Sequence, residues 1–227
     1  MVVNCLALLH KIYEKNSEQK LNNWIRKTST APTIDFRIQF IANKHGQEVP
    51  DVRSIQHISQ KEIIDLLGKC WMTHDGMWFF HCLQEFGITA TNKINKSAIQ
   101  SLASIEIKRI MHILEIEKNI ENFDEFKLFF MQASKLMIPD FMNVSFSFPE
   151  QNRMTWTFRQ GKCFAYEGIK RLGAIDTYEC GVLFRIKCWL EALEIDSRFD
   201  PEIDKCNMHF TGKCSGKICL FEANCGS

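Results

Sequence analysis

Apolar residues recur at helical spacing after Ser59, and they predict a long amphipathic helix. Ser59 and Glu62 form the Ser-x-x-Glu signature of a capping box, which places the start of the helix near Gln60. Apolar side chains then return every three or four residues as far as Phe86, and Gly87 is expected to end the helix.

Two further helices are predicted downstream. The first begins at Asn95 or Ser97, where isoleucines and leucines again recur at helical spacing. The second opens on Phe123, which two acidic residues follow, and Pro139 stops it because proline cannot continue a helix.

Beyond Pro139 the pattern changes to an alternation of apolar and polar residues, which is typical of half-buried strands. Residues 149–152 include a proline and an asparagine, and they are expected to form the turn of a β-hairpin. The apolar positions of this hairpin are Val144, Phe146, Phe148, Met154, Trp156 and Phe158.

Two helices interrupt the strand pattern in the last third of the chain. One runs from Cys163 to Leu172, and an amphipathic helix follows Cys180. Two short strand-like runs then carry Cys206 and Cys214, and a turn between these runs would make a second hairpin.

The order of these elements predicts an α+β fold in which N-terminal helices pack against an antiparallel sheet. We expect residues 59–223 to form this domain, with its C-terminal helix and hairpin, because the capping box marks a clear beginning. Residues 1–58 are then an N-terminal extension.

Composition and charge narrow the range of partners. The apolar fraction of 45% and the 18 phenylalanines suffice for a sizeable core. A formal net charge of +1 argues against duplex DNA or an anionic membrane as a partner. Ten cysteines without a secretory signal indicate reduced thiols, and no apolar run approaches the roughly 20 residues that span a bilayer. We therefore expect a cytoplasmic protein that binds neither nucleic acid nor membranes.

One face of the first helix, here named the polar stripe, combines unusual groups. At about 100° per residue, it contains Cys70, His74, Trp78, His81 and Glu85. Such a face is either a set of hydrogen-bonded core groups or the lining of a ligand pocket. Several buried polar side chains offset their desolvation better when a ligand binds among them, so we expect the polar stripe to bind a ligand.

Three cysteines near the C-terminus have a spacing that suits a metal site. They follow the pattern Cys180-x25-Cys206-x7-Cys214, and a hairpin that turns at residues 211–213 would bring the last two together. A helix packed on that hairpin could present Cys180 to both. Thiolates are ligands that zinc favours, and zinc usually takes four ligands.

This cysteine pattern resembles the C-terminal end of the 4-vinyl reductase domain, the small-molecule-binding module of phenol-sensing bacterial activators. The resemblance implies a twisted sheet and helices that enclose a pocket. It also implies a zinc ion held by Cys180, Cys206 and Cys214 with an acidic fourth ligand. Glu202 is the nearest candidate for that ligand, with Asp204 and His209 close behind.

A longer stretch, from about Lys61 to Leu220, resembles an uncharacterised family of archaeal and bacterial proteins. The strings that carry this second resemblance are WMTHDGMWFFHCLQEFG, PDFMNVSFSFPE, CFAYEGIKRLG and ECGV. This family has no established activity, so the resemblance implies no particular reaction.

Together these features favour a cytosolic, sensor-like domain that binds a hydrophobic or aromatic small molecule and carries a structural zinc ion. One alternative is a hydrolase of a thiazoline or thioester-like substrate, with Cys163, His74 and His81 in the pocket. The helix N-terminus would then lower the pKa of the Cys163 thiol. Another alternative is an assembly subunit of a larger complex. Residues 1–58 are the segment available for a protein partner or a homodimer.

Overall fold

The computed structural model of the chain describes residues 54–221, which belong to one compact unit. The N-terminal extension expected for residues 1–58 therefore lies almost wholly outside the described residues. A short 3₁₀ turn at Ile55–His57, capped by the side chain of Ser54, leads into the first helix.

Helix α1 (Gln60–Ile113) begins at the predicted capping box. The Ser59 N–H donates to Glu62 Oε2 at 2.9 Å, and the Glu62 N–H donates to Ser59 Oγ at 3.3 Å. The helix is broken at Gly87, where φ is 73° and ψ is 172°. The prediction that the first helical segment ends at this glycine is confirmed.

Helical geometry resumes directly after Gly87, so the second segment begins earlier than Asn95 or Ser97, where the sequence placed it. Thr91 is buried, and its Oγ1 donates to the Gly87 carbonyl oxygen at 2.8 Å, which satisfies a polar group at the break. Charged residues interrupt the apolar runs of α1. Among the described residues, no helix is both long enough and apolar enough to cross a membrane.

Helix α2 (Phe123–Met137) matches the prediction at both ends. Asn122 caps its N-terminus, because Asn122 Oδ1 accepts from the Glu125 N–H at 3.0 Å. Its buried face is aromatic, and Phe130 packs edge-to-face on Phe146 with ring centroids 5.0 Å apart.

Four antiparallel strands form one sheet in the order β1-β2-β4-β3. They are β1 (Val144–Glu150), β2 (Arg153–Phe158), β3 (Ser197–Asp200) and β4 (Ser215–Leu220). The β1–β2 hairpin predicted from the alternating pattern is confirmed, with Phe146 opposite Trp156. The hydrophobic pattern does not predict β3, a four-residue strand that becomes part of the sheet by pairing along β4.

Three shorter helices complete the described fold. They are α3 (Phe164–Arg171), α4 (Gly181–Ala192) and α5 (Asn207–Thr211). The first two agree with the predicted helices, and α4 packs against α1. The combination of these helices with one antiparallel sheet confirms the α+β class.

The hairpin predicted between Cys206 and Cys214 does not form, because residues 207–211 are helical. Thr211 Oγ1 donates back to the Asn207 carbonyl oxygen at 2.9 Å. Gly212 then ends α5 with a φ of 76° in the left-handed region, which glycine adopts without a steric penalty. The Thr-Gly pair that suggested a β-turn is therefore a helix C-terminus.

Candidate functional site

A cavity of about 660 Å³ lies between α1, the β1–β2 hairpin and helices α3 and α4. Its volume is in the range of pockets that bind small organic molecules, and such pockets are mostly apolar. Its apolar lining includes Trp71, Phe79, Phe146, Phe158, Phe164, Ile169, Leu172, Leu183, Ile186 and Trp189.

Arg185 and Trp189 line one wall of the cavity, and behind that wall both contact the buried carboxylate of Glu106, which joins α1 to α4. Arg185 Nε donates to Glu106 Oε2 at 3.0 Å, and a second guanidinium nitrogen of Arg185 contacts the other carboxylate oxygen. Trp189 Nε1 donates to Glu106 Oε2 at 2.8 Å. The guanidinium carbon of Arg185 also lies 4.5 Å from the ring centroid of Trp71. Because the two charges neutralise each other, this wall favours a ligand without a strong charge.

Asp75 is an acidic group in the cavity lining. Asp75 is exposed as a whole, but desolvation by the surrounding residues still raises the pKa of its carboxyl group, and the positive charge of Arg185 opposes that rise. The ionised carboxylate can accept a hydrogen bond from a ligand, and the neutral carboxyl group can donate one.

The polar stripe does not line this cavity. Its five residues are all exposed, and none of them belongs to the cavity lining. Trp78 is 64% exposed, and its Nε1 donates to His74 Nε2 at 3.1 Å across one turn of helix. A ligand-binding role for the stripe stays a prediction, for Cys70, His74, Trp78, His81 and Glu85 alike.

The cavity face of α1 instead carries Trp71, Asp75 and Phe79, which the sequence analysis did not select. These residues are four positions apart, so they lie along one side of the helix. The two aromatic residues, four positions to either side of Asp75, could have indicated a ligand-binding face in the sequence. The polar stripe was selected instead, because its cysteine, histidines and glutamate are less common on one helix face.

Four buried cysteines form a second chemical feature. Cys163, Cys180 and Cys206 occupy the N-cap positions of α3, α4 and α5, and Cys214 immediately precedes β4. All four are free thiols, and all are buried in the hydrophobic core of the described unit. Cys163 is the one of the four that the sequence pattern did not place among the predicted thiol ligands.

Hydrogen bonds connect the segments that carry these cysteines. The Cys180 N–H donates to the Asp204 carbonyl oxygen at 2.9 Å, two residues before Cys206. The Gly161 N–H donates to Met208 Sδ at 3.3 Å, two residues after Cys206. The Cys214 carbonyl oxygen accepts from the Phe158 N–H at 2.8 Å.

Burial keeps these thiols protonated. It raises the pKa of Cys180 to about 12 and that of Cys214 to about 11. Burial also raises the pKa of Cys163 and of Cys206. The neighbouring sulfurs contribute, because Cys163 and Cys214 both raise the pKa of Cys180. The alternative of a low-pKa thiolate at Cys163 therefore gains no support, because desolvation outweighs the effect of the helix N-terminus.

A buried indole N–H faces the same cluster. Trp156 is fully buried in β2, and the acceptor that its Nε1–H faces is the thiol of Cys214, which is only a weak one. This contact lowers the pKa of Cys214, whereas burial raises it by more. Gly216 fixes the indole, since a Cβ at that position would lie 2.3 Å from the ring.

The predicted oxygen and nitrogen ligands are exposed or already hydrogen-bonded to other groups, whereas the thiols are buried. Glu202 is exposed, and Asp204 contributes its backbone carbonyl to the Cys180 N–H. His209 Nε2 forms a hydrogen bond with Asp176 Oδ1 at 2.6 Å. Within residues 54–221, no three His, Cys, Asp or Glu side chains are already arranged as ligands of a metal ion.

Comparison with known proteins gives one match. The model of a family of unknown function (DUF6125) matches residues 53–215, which is more than half of the chain. No curated protein and no solved structure shows a significant match. The resemblance to the 4-vinyl reductase domain therefore stays a prediction.

Proposed function

The chain belongs to this family of unknown function, and from its geometry we propose that it is a small-molecule-binding domain for a hydrophobic or aromatic ligand. The observation that carries the proposal is the cavity of about 660 Å³ with its aromatic and aliphatic lining. An open apolar space of that size costs stability unless something fills it. Sensor-like action and cytoplasmic location remain expectations.

Contacts at the cavity wall support a largely uncharged ligand. Arg185 is occupied by Glu106, so its charge is not free to bind an anionic group. Trp71 and Phe79 provide aromatic surfaces. Asp75 provides a carboxyl group, the pKa of which is raised. A flat aromatic molecule with one polar substituent fits this combination.

We propose in addition that a structural zinc ion binds at Cys180, Cys206 and Cys214. Buried thiols at the ends of α4 and α5 and at the start of β4 support this proposal. An ion there would join short elements that otherwise have little core of their own, so its binding free energy would contribute to folding. Glu202 is the fourth ligand that the resemblance implies.

No observation favours the hydrolase alternative. His74 and His81 are exposed and do not line the cavity, whereas Cys163 is buried with a raised pKa. These positions give the hydrolase alternative no support. An assembly role has no support among the described contacts.

Filling the cavity tests the proposed function. Gly168 lies on α3 in the cavity lining, and a Cβ added there meets no atom within 4 Å. Gly168→Leu should place its side chain in the open space and weaken binding of a hydrophobic fluorescent probe by about tenfold or more, which is about 1.4 kcal/mol. The smaller change Gly168→Ala is the matched control and should retain most of the binding.

A third variant separates the cavity from the exposed apolar surface of α1. Trp78→Ala removes an exposed indole of the polar stripe and should leave probe binding unchanged. Chemical denaturation of each variant checks that the fold persists. Unchanged binding in Gly168→Leu, or loss of binding in Trp78→Ala, would refute the cavity as the ligand site.

A further inference from the structure

We propose that Tyr178 and Asn95 form a two-donor subsite in the cavity, where they bind a neutral carbonyl oxygen of the ligand. This inference rests on the proposed small-molecule-binding function and deepens it by giving the chemical class of the ligand. That class is an apolar molecule that carries a ketone, ester or amide group. Both residues line the cavity, and Tyr178 is 4% exposed.

Asn92 on α1 holds the segment that carries Tyr178. The Asn92 side chain is buried, its Nδ2 donates to the Thr177 carbonyl oxygen at 2.9 Å, and its Oδ1 accepts from the Glu179 N–H at 3.3 Å. These two hydrogen bonds bracket Tyr178 along the chain. Asn95 follows Asn92 by three positions in the same helix, so both lie on one side of α1. The fold therefore brings Asn95 close to Tyr178.

Gly181 locates the polar atoms of these two residues relative to each other. A Cβ at Gly181 would lie 2.8 Å from Asn95 Nδ2 and 3.4 Å from the Tyr178 hydroxyl oxygen. Both atoms therefore flank the same point beside Gly181, which itself lines the cavity. Because glycine has no side chain, nothing of this residue separates the two groups.

Both groups have hydrogens to donate. The Tyr178 hydroxyl oxygen accepts from the Gly181 N–H at 3.0 Å, which leaves its own hydrogen for a second bond. Burial raises the pKa of Tyr178 well above its ordinary value, so the hydroxyl keeps this hydrogen at neutral pH. Within residues 54–221, that hydrogen has no acceptor and the Asn95 amide forms no hydrogen bond. Buried donors are almost always paired, so a ligand oxygen or water must supply the acceptor.

The charges around this subsite favour a neutral acceptor over an anion. Lys96 is paired with Glu179, and Arg185 is paired with Glu106, so neither cation is free to neutralise a carboxylate or phenolate. Arg171 also lines the cavity, but it is exposed to solvent, which screens its charge. A buried anion without a counter-charge would lose its hydration at a large cost, whereas a carbonyl oxygen accepts two hydrogen bonds without carrying a charge.

The apolar lining next to the subsite suits the body of the ligand. Phe79 packs edge-to-face on the Tyr178 ring with ring centroids 5.8 Å apart, and Ile99 Cδ1 would lie 3.1 Å from a Cβ at Gly181. Both Phe79 and Ile99 line the cavity. A ligand with an apolar body and one carbonyl oxygen therefore matches the surfaces that meet here.

The test compares two ligands of nearly the same shape in the full-length chain. Acetylnaphthalene carries a ketone oxygen, whereas ethylnaphthalene carries none, and displacement of a hydrophobic fluorescent probe gives the affinity of each. Tyr178→Phe removes one donor and should weaken ketone binding by about tenfold, as expected for the loss of one hydrogen bond in an apolar site. Asn95→Leu removes the second donor at similar volume and should have an effect of the same order. Both variants should bind ethylnaphthalene as the wild type does.

Tyr166→Phe is the matched control. It removes a tyrosine hydroxyl that accepts from Lys170 Nζ at 3.1 Å and lies outside the cavity lining. This variant should bind both ligands as the wild type does. Chemical denaturation of each variant checks that the fold persists, and Asn95→Leu decides by the same comparison should Tyr178→Phe not fold.

The outcomes separate this inference from the proposed function. Ketone binding that Tyr178→Phe and Asn95→Leu leave unchanged, or equal losses for ketone and hydrocarbon, would overturn the subsite and leave the cavity as the ligand site. Tighter binding of naphthoate than of acetylnaphthalene by the wild type would show that an anion is preferred and would overturn the neutral class. A wild-type protein that binds none of these ligands would overturn the proposed function as well.

Discussion

Glu106 is a buried charge whose three polar contacts join α1 to α4. It is 6% exposed, and its oxygens accept from Arg185 and Trp189. Removing one partner of such a pair leaves the other charge buried and unpaired. The resulting loss of free energy of unfolding exceeds the net stabilisation that the intact pair provides. The loss of Glu106 would therefore leave the Arg185 guanidinium and the Trp189 N–H without their acceptor.

Glu106→Ala should lower the free energy of unfolding by about 3 kcal/mol, because Arg185 and the Trp189 N–H lose their acceptor. Chemical denaturation measures this change. The matched control is Glu191→Ala, which removes an exposed i, i+4 pair with Lys187 and should cost about 0.5 kcal/mol or less. Equal effects of the two substitutions would show that the buried pair does not stabilise the α1–α4 contact.

At the scale of elements, the break in α1 depends on Gly87. Its φ of 73° with a ψ of 172° lies in a region that is essentially restricted to glycine. The carbonyl of this residue accepts from Thr91 Oγ1, so the chain can re-enter a helix without an unsatisfied buried hydroxyl. One residue thus changes the direction of a helix that the hydrophobic pattern alone would continue.

Gly87→Ala should destabilise the protein by about 1–3 kcal/mol, since a Cβ is strained in this backbone conformation. Gly76→Ala, in the same helix with ordinary φ, should instead stabilise it by up to about 1 kcal/mol, because its Cβ meets no atom within 4 Å. Thermal and urea unfolding of the two variants measure these effects. A stabilised Gly87→Ala protein would mean that α1 can straighten.

Short sequence motifs correctly predicted several ends of helices and the β1–β2 hairpin. The Ser59 capping box, Pro139 and the turn at residues 149–152 each act through neighbouring residues, so the sequence shows them directly. Other features depend on distant partners. Trp78 and Phe79 are adjacent and both apolar, yet Trp78 is 64% exposed and Phe79 is 9% exposed. Only the packing of α1 on the rest of the fold decides between them.

The same distinction applies to the candidate sites. Cysteine spacing singled out Cys180, Cys206 and Cys214, because three thiols in one segment form a visible pattern. Cys163 precedes that segment and joins it through contacts of Gly161 with Met208, which no local pattern reveals. The strand predicted around Cys206 was wrong for a related reason, since a short Asn-Met-His-Phe-Thr run suits a strand or a helical turn.

At the scale of the whole molecule, the cavity and the thiol cluster meet at Tyr178. This residue lines the cavity, and its hydroxyl oxygen accepts from the Gly181 N–H at 3.0 Å. Burial raises its pKa strongly, and Cys163, Cys180 and Cys206 add to that rise. A metal ion at the thiols would therefore order a wall of the cavity, and the two proposals concern neighbouring parts of one core.

The last prediction concerns the boundary of the folding unit. Removing residues 1–52 should leave cooperative unfolding and probe binding unchanged. The family match begins at residue 53, the cavity lining runs from Gly68 to Trp189, and the caps of α1 begin at Ser59. A matched control that removes residues 1–62 also deletes the capping box and should lose about 1 kcal/mol of stability.

Size-exclusion chromatography and chemical denaturation provide the measurements. Several large apolar side chains of α1 are exposed in the described unit, including Leu66 at 59% and Leu67 at 63%. Exposed apolar surface promotes association when nothing covers it. A truncated protein that forms larger oligomers than the full-length chain, or aggregates, would therefore contradict the independence of residues 53–227. A truncated protein that keeps the oligomeric state of the full-length chain and binds the probe would establish the domain boundary.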